Sequence, residues 1–182
     1  QRQMCIRDSI SPTFEIGHVQ FKKGSGLPIN VPSVELIEIG AGGGSIASVN
    51  MGIITIGPES AGANPGPICY GLGGKHPTVT DANVILGYIS PDGFNSGKIK
   101  LDVERARLEM VTQIAEPLNL SLERAAWGVH AVATKNMENA LRIVSIERGR
   151  DPRRYSMVAF GGAGPLHASR LAKEIGLSLI HI

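Results

Sequence analysis

A segment rich in glycine and proline, from Gly57 to Asn83, most constrains how this 182-residue chain can fold. It reads GPESAGANPGPICYGLGGKHPTVTDAN and has almost no helical or strand period. Loops of this length are uncommon in compact domains unless they are functional or disordered. Disorder fits poorly, because the segment has little net charge and contains Ile68, Cys69 and Val79. The segment therefore predicts an ordered loop whose backbone forms a defined surface, with polar side chains at its C-terminal end.

Glycine is the outlier in the composition. The 23 glycines lie in clusters and amount to roughly twice the average usage of about 7%. Such clusters indicate tight turns and close approach of the backbone to a ligand. The net charge of +2 is too small to predict binding to nucleic acid or to an anionic membrane. Aromatic residues make up 4%, so the chain lacks a stacking platform for single-stranded nucleic acid.

The remaining global features are those of a soluble globular protein, with 42% hydrophobic and 19% charged residues. Cys5 and Cys69 form no metal-ligand pattern, and they predict no disulfide scaffold. No apolar run is long enough to span a bilayer, and no signal peptide is recognisable. We therefore expect a cytoplasmic protein.

Both ends of the chain look foreign. The opening RQMCIRDS and the closing LSLIHI resemble translated read-through of sequencing adapters, although ordinary frayed termini are the alternative. On the first interpretation, residues 1–9 and 177–182 are non-native. Residues 10–176 then form part of one domain, with a part rich in strands and loops at 10–100 and a helical part at 101–176.

Strands are predicted on both sides of a first glycine cluster. Apolar segments at Phe14 to Phe21 and Val31 to Ile39 predict strands joined by a turn at Lys22 to Gly26. Gly40 to Ser45 follows, and the residues from Ile46 to Ile56 look extended around a break. A strand that leads into a glycine cluster can place several N–H groups around an anion or a carbonyl. It is not a Walker A loop, and a tight turn is the simpler alternative.

Asp81 opens the apolar segment that continues from Val84 to Ile89. As an N-cap it would accept hydrogen bonds from the free N–H groups of a first helical turn. As a ligand it would be held by the preceding loop toward a metal or a substrate. Both interpretations are open, and the cap is the simpler one.

Two helices are predicted next, each with its own N-cap. Asp102 caps a helix from Val103 to about Ala115, and Ser121 caps a longer one that ends near Glu147. The longer helix carries one broad apolar stripe at three- and four-residue spacing. We expect His130 at the boundary of that stripe.

The last unit is a strand at Ser156 to Phe160, a glycine turn at Gly161 to Pro165 and a helix from Leu166 to Ile175. Pro165 suits the first helical position, and the helix N-terminus is a natural contact for a phosphate or a nucleotide. A dinucleotide fingerprint is disfavoured, because its third glycine is replaced by His167. His167 either faces the same site or is structural.

Four segments, in this order and approximate spacing, resemble the hydantoinase A / 5-oxoprolinase family. They are IGAGGGSIA (39–47), GPESAGANPGPICYG (57–71), PTVTDAN (77–83) and AFGGAGPLHA (159–168). Each motif alone is weak, but the set is specific and covers about Phe14 to Gly176. Small departures at Ser48, Asn50 and Asn64 concern the substrate more than the family.

The resemblance implies an α/β fold of the actin, heat-shock-chaperone and sugar-kinase type, with RNase-H-like halves. It implies an ATP-dependent hydrolase that opens a cyclic amide such as 5-oxoproline or a hydantoin, through an amide phosphorylated on oxygen, with Mg²⁺ on the phosphates. Acetone carboxylase-type subunits share the fold, so a carboxylase is an alternative, as is a non-catalytic nucleotide-binding module. A hydantoinase B-type partner subunit is also implied.

The resemblance assigns roles to individual residues. The nucleotide would lie near Gly161, Gly162 and Gly164. The residues bordering the substrate would be Gly42, Gly43, Gly44 and Ser45. Asp81 would polarise the substrate or bind the metal. The family's Asp-x-Gly-Gly-Thr phosphate motifs are absent from this sequence. We therefore expect a middle piece of a larger subunit that does not hydrolyse ATP alone.

Overall fold

In the computed structural model the backbone is described for residues 4–11, 14–16, 27–29, 33–37, 39–92, 94 and 99–179. Side chains are described for residues 39–92, 94 and 99–177. Two compact units are present, Gln3–Glu38 and Ile39–Ile182. The predicted boundary between residues 100 and 101 lies inside the second unit. The division at that point and the foreign ends stay predictions.

The first unit contains two antiparallel strand pairs. Strand β1 (Met4–Ser11) pairs with β4 (Ser33–Ile37), and β2 (Phe14–Ile16) pairs with β3 (Leu27–Ile29). Strands β2 and β4 confirm part of each predicted strand. The predicted turn at residues 22–26 lies outside the described residues.

The second unit begins with a β-hairpin. Strands β5 (Ser45–Asn50) and β6 (Ile53–Ser60) are antiparallel, and they confirm the extended segments predicted after the glycine cluster. Met51 and Gly52 form the turn with positive φ angles of 49° and 76°. Ala47 lies opposite Ile56, and both are buried. The hairpin therefore presents one face to the core.

Helix α1 (Val79–Ile85) follows the long glycine-rich segment. Its N-cap is Thr78, whose hydroxyl accepts a hydrogen bond from the Asp81 backbone N–H at 3.3 Å. The prediction of Asp81 as the N-cap is therefore wrong. Asp81 occupies the third helical position and bonds back to the Thr78 N–H at 2.8 Å, which completes a capping box. The helix begins earlier than predicted, because a threonine three residues before the acid serves as the cap.

The two longer helices begin where the sequence predicts. Helix α2 (Val103–Met110) is capped by Asp102 and continues into a π-helical turn, Val111–Ala115. Helix α3 (Leu122–Val144) is capped by Ser121. Three 3₁₀ turns lie near these helices, at Ile68–Tyr70, Glu116–Leu118 and Ile146–Arg148.

The core forms where α3 packs against α1, the π-helical turn and the hairpin. Its buried members are mostly small: Ala47, Ile56, Val79, Ala82, Met110, Ile114, Ala115, Ala125, Ala126, Val129 and Ala133. The alanines allow close approach, and at Gly128 an added Cβ would lie 2.6 Å from the Ile54 Cδ1. Met110 and Ile114 are fully buried, and burial of such a side chain contributes about 1.5–3 kcal/mol.

At the end of the second unit, a helix connects two parallel strands. Strand β7 (Ser156–Met157), helix α4 (Gly164–Ile175) and strand β8 (Ser178–Leu179) follow one another, after a 3₁₀ turn at Pro152–Arg154. The strand is shorter than predicted, and Pro165 is the second helical residue rather than the first. None of the helices in the described part of the chain is long and apolar enough to cross a bilayer.

Candidate functional site

Gly43 is the point at which three distant segments meet. Its carbonyl accepts hydrogen bonds from the Thr80 backbone N–H and from the Thr80 hydroxyl, both at 2.9 Å. A Cβ added at Gly43 would lie 2.7 Å from the Thr80 Oγ1 and 3.4 Å from the Ala163 Cβ. The first glycine cluster therefore contacts the start of α1 and the residue before α4.

Gly44 joins the fourth segment to the same place. Its carbonyl accepts a hydrogen bond from the Ala61 N–H at 2.8 Å. A Cβ added at Gly44 would lie 2.8 Å from the Ser60 Oγ and 3.5 Å from the Gly62 oxygen. All four segments that carry the family resemblance therefore contribute to one region, which we call the glycine junction (residues 40–45, 60–62, 78–81 and 161–164).

Ser45 shapes the loop from within. Its hydroxyl accepts a hydrogen bond from the Gly42 N–H at 3.0 Å and donates to the Gly40 oxygen at 3.2 Å, and the residue is only 4% exposed. Gly42, Gly43 and Gly44 are half-buried, and their carbonyl oxygens accept hydrogen bonds from the Ser45 N–H, from Thr80 and from the Ala61 N–H respectively. The predicted substrate contacts of these four residues stay predictions.

Asp81 is fully buried at the edge of the glycine junction. One carboxylate oxygen accepts hydrogen bonds from the Ile68 N–H at 3.2 Å, the Thr78 N–H at 2.8 Å and the Thr78 hydroxyl at 2.8 Å. The other accepts from the Cys69 N–H at 2.7 Å. This carboxylate therefore fastens the long segment to the start of α1.

The carboxylate also affects its neighbour. Burial, together with the negative charge of Asp81, raises the pKa of the Cys69 thiol far above its usual value. Cys69 is therefore a protonated core residue rather than a nucleophile. The catalytic and metal-binding role of Asp81 stays a prediction, and its contacts in the structure are those of a capping residue.

The predicted nucleotide turn is open. Gly161 and Gly162 are exposed, and Gly161 has a φ of 88°. Within the described part of the chain, helix α4 has no side-chain cap on its first turn, and a Cβ added at Gly164 would meet no atom within 4 Å. The positive end of the helix dipole suits a phosphate or another anion, although Pro165 has no N–H and the Leu166 N–H is bonded to the Ala163 oxygen at 3.1 Å. The residues present thus fit the predicted nucleotide, whose contact with them stays a prediction.

A buried polar cluster lies next to these elements. It consists of Asn83, His130, Thr134 and His167. The prediction of His130 as a boundary residue is wrong, because the residue is 2% exposed and its ring stacks on that of His167 at 4.3 Å. The signal was the four-residue spacing of Ala126, His130 and Thr134, which places all three on the buried face of α3.

The two histidines end a stack of planar groups. The Arg170 guanidinium lies 4.6 Å over the Trp127 ring, which stacks on His130 at 5.6 Å. Burial, and then the charge of Arg170, lowers the pKa of His130. Burial, and then His130, lowers the pKa of His167 to about 4. Both rings are therefore neutral at neutral pH.

Comparison with known proteins decides the family. The sequence profile of the hydantoinase/oxoprolinase family matches residues 9–182, which is nearly the whole chain. The chain belongs to this family. The resemblance carried by the four segments is thereby confirmed.

Two members of the hydantoinase/oxoprolinase family illustrate its range. Caprolactamase subunit alpha of Pseudomonas jessenii is 46% identical over 170 residues, which are 91% of this chain and 24% of that protein. The 5-oxoprolinase PfmaA of Pestalotiopsis fici is 38% identical over 165 residues, 84% of this chain and 13% of that protein. The chain thus spans about a quarter or less of these relatives.

Solved structures of family members agree with the fold. The ATP-dependent caprolactamase of Pseudomonas jessenii gives a TM-score of 0.73 at 48% identity, over 84% of this chain and 22% of that one. Nucleotide-free acetone carboxylase gives 0.75 at 34% identity, over 83% and 22%. These matches confirm the predicted fold class, which is an α/β ATPase-like fold. The chain forms one part of that fold.

The predicted magnesium, which would lie on the phosphates of ATP, stays a prediction. Among residues 39–92, 94 and 99–177, no three His, Cys, Asp or Glu side chains are grouped so that they could hold a metal ion. The four donors already bonded to Asp81 occupy its oxygens as well.

Proposed function

We propose that the glycine junction is part of the active site of an ATP-dependent enzyme that opens a cyclic amide, such as 5-oxoproline or a hydantoin. The proposal rests on the contact of Gly43 with both Thr80 and Ala163. This contact brings together three of the four segments that carry the family resemblance. Caprolactam and 5-oxoproline, the compounds in the relatives' names, are both cyclic amides.

The chain supplies positioning. Gly42, Gly43 and Gly44, held by Ser45, border the cyclic amide, while Gly161, Gly162 and Gly164 hold the nucleotide at the start of α4. Bound ATP would supply the phosphoryl group that activates the amide oxygen, with ADP as the leaving group, and the ring carbon would then be open to attack by water. Preorganised backbone groups favour such a reaction because their orientation is already fixed by folding.

Packing fixes this loop before any ligand arrives. The Gly43 carbonyl is held by two bonds from Thr80, and the Gly44 carbonyl is held by the Ala61 N–H. By contrast, a Cβ added at Gly42 would meet nothing within 4 Å among the described residues. Gly42 therefore lines open space, and it is the position at which a substrate would contact the loop.

The test uses the full-length natural protein that contains this chain. We expect its ATP hydrolysis to be stimulated by 5-oxoproline, a hydantoin or caprolactam, with release of the ring-opened acid. Stimulation by none of them, under conditions in which the protein binds ATP, contradicts the proposal. It would leave a non-catalytic nucleotide-binding module.

A carboxylase is the second candidate. The solved acetone carboxylase matches this chain as well as the caprolactamase does, with TM-scores of 0.75 and 0.73. ATP hydrolysis that requires both bicarbonate and a ketone, and that ignores cyclic amides, supports this candidate over the first.

A partner subunit of the hydantoinase B type completes the proposal. The caprolactamase relative is named as subunit alpha, which implies at least one other subunit in that enzyme. We expect activity to need the product of a neighbouring gene, and co-purification of the two polypeptides checks this. The cytoplasmic location stays a prediction.

A further inference from the structure

Two buried polar atoms have no hydrogen-bond partner in the described part of the chain. They are the Nδ2 of Asn83 and the Nε2 of His167, both on side chains with no exposed surface. Buried polar groups in native proteins are almost always paired, so each such atom points to a bound group. The structure determines which kind of group each atom needs.

Thr134 fixes the state of His167. The Thr134 hydroxyl donates its single hydrogen to the His130 backbone oxygen at 2.8 Å. It can therefore only accept at its 2.8 Å contact with the His167 Nδ1, which must carry the hydrogen. In the neutral ring the Nε2 is then a bare acceptor, and it needs a donor.

Asn83 needs the opposite. Its Oδ1 lies 2.8 Å from the His130 Nδ1 and accepts the hydrogen of that ring. The Nδ2 is left with donor hydrogens only, so it needs an acceptor. One helical turn separates Asn83 from Thr80 on α1, and one turn separates His167 from Ala163 at α4. Asn83 bonds to His130, and the His130 ring stacks on that of His167, so both atoms belong to one buried cluster that lies one helical turn from the glycine junction along α1 and α4. We call this cluster the layer below the glycine junction.

We propose that Asn83 and His167 bind a neutral polar ligand below the glycine junction, one that accepts a hydrogen bond from Asn83 and donates one to His167. An anion without hydrogens cannot donate to the Nε2, and a cation cannot accept from the Nδ2. Arg170, stacked at the other end of the column, also disfavours a cation. The chemistry left is that of water or of an amide, which carries both a C=O and an N–H.

The identification of the ligand as an amide rests on the proposed function, whereas a bound water molecule is independent of it. A cyclic amide with its C=O toward Asn83 and its N–H toward His167 would extend from the glycine junction into this layer. An enclosed water molecule would satisfy the same two atoms permanently. Thr134 is in either case a positioning residue, because it keeps the Nε2 free of hydrogen.

Crystal structures of the full-length natural protein, free and soaked with 5-oxoproline, test the proposal. We expect density within hydrogen-bond distance of the Asn83 Nδ2 and of the His167 Nε2. Water in both crystals identifies a structural water site, and displacement by the lactam identifies a substrate site. No density at either atom overturns the proposal. An ordered water in a protein that shows no turnover leaves it standing, although the proposed function has then failed.

Thr134→Val and Thr134→Ser form the matched pair. Serine keeps the hydroxyl, so the density at His167 is retained. Valine removes it and the ring hydrogen can move to the Nε2, which then opposes the N–H of a lactam, so the lactam density at this atom is lost, whereas a water molecule can turn and accept instead. Lactam density that is equal in the two variants overturns the role of Thr134. A purely structural role would change only the melting temperature.

Discussion

At the scale of single residues, the burial of Asp81 and His167 makes their charge and hydrogen bonding matter for the stability of the fold. Both carboxylate oxygens of Asp81 accept hydrogen bonds, from backbone N–H groups and from the Thr78 hydroxyl, so Asp81 contributes directly to the stability of the fold. His167 is held neutral between Thr134 and His130. Each case gives a prediction in which a change of charge or of hydrogen bonding is measured against a matched control.

Asp81→Asn is expected to destabilise the protein by roughly 2–4 kcal/mol, because an amide places a donor against at least one buried N–H. Asp102→Asn is the control, since asparagine caps helices as well as aspartate does and should cost less than about 0.5 kcal/mol. Thermal and urea unfolding measure both. An Asp81→Asn protein of unchanged stability that has lost activity would instead support the predicted catalytic role.

Stability is expected to fall as the pH drops from about 6.5 toward 4. The pKa of His167 is about 4 in the folded protein and near 6.5 when unfolded, so the unfolded state takes up the proton first. His167 therefore does not lower the free energy of unfolding above pH 6.5, and it lowers that free energy progressively as the pH falls below 6.5. His167→Gln should flatten this part of the profile of melting temperature against pH. An unchanged profile in the variant means that other groups, such as His130, control it.

At the scale of elements, the glycine loop separates packing from ligand contact. Gly43 and Gly44 touch Thr80 and Ser60 so closely that no Cβ fits without movement, whereas no described residue lies within 4 Å of a Cβ added at Gly42. The same three glycines are equivalent in the sequence. Their different surroundings make a paired substitution informative.

Gly43→Ala is expected to destabilise the protein by about 1–3 kcal/mol, because the methyl group would overlap the Thr80 hydroxyl. Gly42→Ala should leave the melting temperature nearly unchanged and raise the KM for the cyclic amide. Unfolding and steady-state kinetics of the two variants check this. Equal KM values for Gly42→Ala and the parent protein would remove Gly42 from the substrate site.

Most of the local elements could be predicted from the sequence. The caps at Asp102 and Ser121 are short-range hydrogen bonds between neighbours, so the sequence contains all the information needed. The start of α1 was predicted too late in the sequence, because Thr78 and Asp81 cap each other and the prediction assigned the cap to the acid. The burial of His130 follows from its four-residue spacing with Ala126 and Thr134, whereas its stacking on His167 depends on α4 packing against α3, which no local pattern encodes.

At the scale of the whole molecule, the segments that form the site are recognisable, but their contacts are not. The approach of Ala163 to Gly43 joins the two ends of the second unit, and only tertiary packing determines it. The family resemblance grouped these segments by composition and order. It did not reveal the layer of Asn83, His130 and His167 beneath them.

The 182-residue chain by itself is expected to show no ATP hydrolysis that depends on a cyclic amide. It spans 24% of the caprolactamase subunit, and it contains no Asp-x-Gly-Gly-Thr sequence for the phosphates. Phosphate release by the purified chain, with and without 5-oxoproline, measures this, and the full-length protein is the positive control. Robust lactam-dependent release by the chain alone would falsify the expectation.

The stack of Arg170, Trp127 and His130 makes the chain its own optical reporter. Trp127 is the only tryptophan of the 182 residues, and it lies directly on the histidine pair. A protonated imidazole next to an indole quenches its emission, and a change in the stack shifts the emission colour. Fluorescence of this one residue therefore follows, without any label, the protonation of the layer beneath the glycine junction.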